Sequence, residues 1–196
     1  MNKILSKTIL TIASMNIILA VLFSFPPGAD GMDNDYFAKV RDEVLLSNVE
    51  KYHLGPENFW KLYKSGQYTV AIEDLKFVLR YYPNHPETLQ LLGSIARLTH
   101  DSSLPIPYYE KALRLYPQYA STHAQYGAYL VDVGLIDAGI ARLKHAIEMD
   151  SKLALAHAWL ANAYYQNGNQ ELARQAAERA RALGYKGNIP GQGPEK

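Results

Sequence analysis

"AHAWLANAYYQNGNQELARQAAERARALG", residues 156–184, reads as two helices interrupted at Asn167-Gly168-Asn169. Each is about four turns long, striped with small apolar residues, and marginal alone in water. The hairpin must therefore bury its stripe against something. Ala161 and Ala173 let the two backbones approach closely, and a neighbouring hairpin is needed to cover the remaining apolar surface. The second helix carries Gln170, Glu171, Arg174, Gln175, Glu178 and Arg181 on its far side, the polar face that a terminal element of a stack requires.

The same pattern recurs upstream. Four windows of 34 residues, 52–85, 86–119, 120–153 and 154–187, align without gaps. Small residues recur at Gly93, Gly127 and Ala161, and turn residues at Gly66, His100, Gly134 and Gly168. The second helices share three slots: Ala71, Pro105, Gly139, Ala173; Leu75, Tyr109, Leu143, Ala177; and Val78, Ala112, Ala146, Ala180. A proline that ends the helix closes the first two windows, at Pro83 and Pro117, and lapses to Ser151 and Tyr185 in the others.

The segments "LQLLGSIA" (89–96), "HAQYGAYL" (123–130) and "HAWLANAY" (157–164) carry the first half of the pattern. They are followed by "PIPYYEKALRLYP", "GIARLKHAIEMDS" and "ARQAAERARALGY". Together they resemble the tetratricopeptide repeat family, whose pattern runs Trp-x2-Leu-Gly-x2-Tyr, Ala-x3-Phe, Pro. The resemblance covers about residues 56–185. It implies an all-α solenoid of about four helix-turn-helix repeats, the repeat domain running over 56–187, with one extra N-terminal helix.

The first window departs most. Phe59 stands where a small residue belongs and Asn58 where a leucine belongs, so its first helix is expected to be short and to begin near Pro56. Before it, "MDNDYFAKVRDEVLLSNVEKYHL" (32–54) predicts an amphipathic helix over 32–55. Its stripe would be Phe37, Val40, Val44, Leu45, Val49 and Tyr52, with Asp33 or Asn34 as cap, and it would cover the irregular repeat. In the second window, Pro105 and Pro107 predict a late second helix beginning near Leu104. Beyond Gly184 the chain has no periodicity, which predicts a loose tail, flexible over 188–196.

The resemblance also implies a binding surface, because first helices line the concave side of such stacks. The residues pointing there are Trp60, Tyr63 and Lys64; Gln90, Ser94 and Arg97; Gln125, Ala128 and Asp132; and Trp159, Asn162, Tyr165 and Gln166. The family's buried tryptophan slot is filled by His157, and Trp159 lies about 200° further round the helix, toward the groove. Aromatic ends with amides between them suit an extended peptide or a partner helix. Packing of both tryptophans between repeats is the alternative. The lysine, asparagine and arginine set that clamps chaperone C-termini is matched only by Asn162 and Arg97, on the wrong repeats.

Residues 1–31 read as an address. Lys3 and Lys7 precede an uncharged run, Thr8–Phe25; Pro26-Pro27-Gly28 breaks it, and Ala29-Asp30-Gly31 offers small residues for cleavage. A signal peptide and a retained anchor both fit, the latter giving membrane attachment through residues 8–25. Either way the repeats are expected outside the cytoplasmic membrane, in the periplasm or held at the inner membrane's periplasmic side.

Net charge is +1, and Lys3, Lys7 and Asp30 account for it, so the repeats are neutral overall and no nucleic-acid partner is expected. The absence of cysteine excludes disulfides, thiolate metal sites, covalent haem attachment and a lipidated N-terminal cysteine. None of His53, His85, His100, His123, His145 and His157 pairs at a zincin-type spacing; His123 and His157 occupy equivalent slots about 10 Å apart. No catalytic motif, cofactor or metal site is expected. The reading is a non-enzymatic scaffold for a protein partner in an envelope complex. The alternatives are a structural homo-oligomer built on the N-terminal helix and, less favoured, an enzyme or metal carrier using the histidines.

Overall fold

The structure, a computed structural model, describes residues 32–190. These form α1 (Glu43–His53), α2 (Phe59–Lys64), α3 (Tyr68–Tyr81), α4 (Pro86–Thr99), α5 (Ile106–Leu115), α6 (Ala120–Asp132), α7 (Ile136–Met149), α8 (Ala154–Gln166) and α9 (Gln170–Ala182). The fold is an all-α solenoid of helical hairpins. Helices α4, α6 and α8 begin 34 residues apart, and α6 packs against both α4 and α8.

The turns repeat because their chemistry repeats. Gly66, Gly134 and Gly168 have φ of 75°, 86° and 75°, and His100 takes the same slot at φ 57°. At each, the next amide bonds back five residues at 2.9 Å: Gln67 to Leu62, Asp101 to Ala96, Leu135 to Leu130 and Asn169 to Tyr164. This closure satisfies carbonyls that the helix end leaves bare and requires a left-handed residue, which glycine adopts without strain.

The hairpin seam is set by side-chain size. At Gly139 an added Cβ would lie 2.7 Å from the Gly127 carbonyl oxygen and 2.4 Å from Val131 Cγ2, so α6 and α7 meet almost backbone to backbone. In the next hairpin Ala161 and Ala173 fill these slots and are buried. In the first, Phe59 is fully buried instead, edge-on to Trp60 and tilted against Tyr63, which leaves α2 a helix of six residues.

Three expectations, on the N-terminal helix, the start of α2 and the tail, are corrected. The N-terminal helix does not run over 32–55: α1 begins at Glu43, capped by the Asp42 carboxylate on the Leu45 amide at 2.9 Å. Residues 33–37 form a non-helical strap with a turn at 36–37 instead, because their polar groups find partners far along the chain. Asn34 donates from its amide to the Tyr81 carbonyl (2.8 Å) at the end of α3. Asp35 accepts from buried Asn84 (2.7 Å) and from the Tyr119 hydroxyl (2.6 Å), and Asp33 pairs with Lys111 at 2.6 Å. The expected stripe is thereby broken: Val40 and Val44 are 92% and 72% exposed and Tyr52 is exposed, while Leu46 and Val49 face α3 and the core.

Helix α2 starts at Phe59, with Pro56 left in a turn, and α5 starts at Ile106, after a turn over 102–105. The tail is not loose from 188 onward, since Ile189 is buried in the core; residues 191–196 lie outside the described part. So do residues 1–31, with the expected signal peptide or anchor. Among the described residues no helix is long and apolar enough to cross a membrane.

Candidate functional site

Successive first helices present one face each to a shared groove of about 400 Å3. Helix α4 contributes Gln90, Ser94 and Arg97, α6 contributes Gln125, Ala128 and Asp132, and α8 contributes Trp159 and Asn162. Within each helix these positions are three or four apart and so stack on one side. Across helices, Ser94, Ala128 and Asn162 are equivalent positions one repeat apart.

The floor comes from residues outside the predicted set. Tyr109 of α5 stacks on Tyr126 (5.0 Å between centroids) and Tyr129 (6.0 Å), and Tyr109 and Tyr129 both line the groove. Gly93 makes this fit, since a Cβ there would sit 3.1 Å from the Tyr129 ring. The Tyr129 hydroxyl donates to the Ser102 carbonyl (2.7 Å), pinning α6 to the loop before α5. Burial holds the Tyr129 hydroxyl up to about 12 and raises Tyr109 further, so the floor is uncharged at neutral pH. Tyr109 belongs to a second helix, and the family expectation points only to first helices.

One ion pair crosses the groove between repeats: Arg97 Nη1 to Asp132 Oδ2 at 3.0 Å, with Arg97 Nη2 also donating to Ser94 Oγ at 3.1 Å. Burial raises the Asp132 carboxyl, and Arg97 offsets that in part. Beside it stand amides and a hydroxyl, Gln90, Ser94, Gln125 and Asn162, the groups that pair with peptide N–H and C=O.

Five expected residues are not brought in. Trp60 and Tyr63 pack against the core around Phe59, and Lys64 is exposed at the end of α2. Tyr165 and Gln166 are exposed at the end of α8, away from the lining, although Gln166 Nε2 reaches Asn162 Oδ1 at 3.4 Å. Conversely, Tyr185, Asn188 and Pro190 of the C-terminal segment do line the groove.

The histidines take local roles. His123 and His157 are buried and each donates from Nε2 to the carbonyl six residues earlier, Pro117 (2.9 Å) and Ser151 (3.1 Å). His85 is a helix cap: Nδ1 accepts from the Thr88 amide (3.2 Å) while Nε2 donates to Glu50 (3.1 Å), and burial lowers its pKa. His123 packs against His145 with centroids 4.8 Å apart. Among the described residues no group of three or more His, Cys, Asp or Glu side chains could hold a metal ion.

The family profile for the tetratricopeptide repeat matches residues 58–120 and 127–187. A crystal structure of MamA protein is 23% identical, with 70% of this chain and 72% of that chain covered and a TM-score of 0.50. A second MamA crystal structure is 22% identical, with 72% and 82% covered and a TM-score of 0.50. YrrB, described as a TPR protein with an unusual peptide-binding site, is 19% identical, with 72% and 82% covered and a TM-score of 0.51. At these identities the likeness is one of fold. No curated protein matches the chain.

Proposed function

The chain belongs to the tetratricopeptide repeat family, and from that premise we propose that it is a non-enzymatic scaffold holding an extended segment of another protein in the concave groove. The observation that carries this reading is the meeting of eight side chains from α4, α6 and α8 in one groove over an aromatic floor. Their amides and hydroxyl would pair with the segment's backbone while the tyrosines and Trp159 pack on its side chains. The peptide-binding site named for YrrB agrees with this use of the fold.

The setting we propose is outside the cytoplasmic membrane, in assembly of an envelope complex. Lys3, Lys7 and the apolar run 8–25, as a signal peptide or an inner-membrane anchor, support it. Crosslinking in cells followed by purification tests the groove. Replacing Gln125 and Asn162 together by alanine should lower partner recovery on the order of tenfold. Glu178→Ala, on the exposed side of α9, should leave it unchanged; equal recovery from all three chains would refute the groove.

A second reading has one observation in its favour. Val40, Val44 and Tyr52 are exposed apolar residues on or beside α1, which suits self-association there. Light scattering of the natural chain against Val40→Ser with Val44→Ser decides it, and an unchanged mass removes it.

A further inference from the structure

The chain beyond α9 turns back into the groove. Gly184, at φ 90°, and the Tyr185 amide bonded to the Ala180 carbonyl at 3.0 Å close α9 with the device that closes the first helix of each repeat. Arg181 Nη1 then donates to the carbonyls of Tyr185 (3.0 Å) and Gly187 (2.7 Å). The Tyr185 ring folds back over Gly187, so a Cβ there would meet its hydroxyl end. Ile189, 1% exposed, enters the apolar cluster of α6–α9, against which Trp159 and Tyr185 also pack.

A segment serving only to finish the stack would cover the outward face of the last helix. That face stays polar and exposed, with Arg174 paired to Glu171 (2.8 Å) and to Glu178. The segment instead closes one end of the groove: Tyr185, Asn188 and Pro190 line it beside Trp159 and Asn162, while Ile189 anchors the segment in the apolar cluster beneath.

We infer that residues 185–190 are a displaceable occupant of one end of the groove, and that a partner segment taking this end carries a β-branched apolar residue followed by proline. The inference rests on the groove reading above. An intramolecular occupant lowers the apparent affinity of any competitor by the fraction of chains in which the groove is open.

The probe is a fluorescein-labelled peptide of residues 185–190, added to the full chain and followed by anisotropy. Full-length Ile189→Asp should bind it at least about tenfold more tightly than the natural chain, because its own segment no longer seats. Arg181→Ala, which removes two bonds from the segment, should give a smaller gain in the same direction. A peptide carrying the Ile189→Asp change should not bind. Circular dichroism checks that the variants are folded, and if Ile189→Asp is not, the comparison of Arg181→Ala with the natural chain decides. Folded variants that bind no better than the natural chain overturn the inference. That failure leaves the groove reading standing if Gln125→Ala with Asn162→Ala still lowers partner recovery.

Discussion

The two ends of the solenoid solve one packing problem in opposite ways. Between α6 and α7 the seam is made by Gly127 and Gly139, and between α8 and α9 by Ala161 and Ala173. At the other end Phe59 fills the equivalent slot, α2 shrinks to six residues, and the chain adds α1 and the strap at 33–37. Small residues let helices pack by backbone approach, so each hairpin is interchangeable with the next. With the large Phe59 buried in that slot the first helix is short, and α1 and the strap supply contacts that no repeat supplies.

The largest expected effect tests this slot. Phe59→Ala should cost about 3–5 kcal/mol locally, since the cavity cannot close around six residues of helix. In a stack whose units lean on their neighbours, that loss should appear first as faster hydrogen exchange in α1–α3, with α7 little changed.

Gly139→Ala tests the other end. Its methyl would meet the Gly127 carbonyl and Val131, and the overpacking should cost about 1–3 kcal/mol. Denaturant melts should show it as a global loss. A neutral result would mean the seam is looser than the geometry states.

Alkaline titration probes the strap. The Tyr116 hydroxyl donates to the Asp33 carbonyl in the strap, and burial, then Asp35 and Asp33, hold it up to about 12 against an ordinary 10.0. A group whose folded pKa is raised contributes stability that is complete below its unfolded value and lost as pH rises through the folded one. The strap should therefore hold below pH 10 and release as pH approaches 12, read as the tyrosinate absorbance that the natural chain shows and Tyr116→Phe lacks. On the acid side His85 works the other way. Its lowered pKa gives stability complete above its ordinary 6.5 and lost as pH falls through the lowered value.

The smallest effect probes a turn that both ends share in kind. His100 occupies a left-handed slot that glycine fills at the other three. His100→Gly should therefore stabilise the chain by up to about 1 kcal/mol. A loss of stability would mean that the imidazole makes a contact that outweighs the backbone strain.

The repeating part was legible because its signals are local and recur. Windows beginning at 86, 120 and 154 coincide with the starts of α4, α6 and α8, and the turn slots at 66, 100, 134 and 168 carry the positive φ values. The strap was not legible. Phe37, Val40 and Val44 have helical spacing, but Asp35 is held by Asn84 and Tyr119, partners that spacing along the chain does not reveal. In the groove, the faces of α4, α6 and α8 were those the resemblance to the repeat family implies, whereas α2, six residues long, does not present Trp60, Tyr63 and Lys64 beside them. The C-terminal segment offered one clue, a lone Ile189 in polar sequence, and its burial depends on a turn that only the folded chain makes.

Hydrogen exchange of the full chain with and without its crosslinked partner tests the central claim most directly. Binding in the groove should slow exchange over 90–97, 125–132 and 158–162 together. Protection confined to α1, or to the exposed faces of α5, α7 and α9, would contradict it.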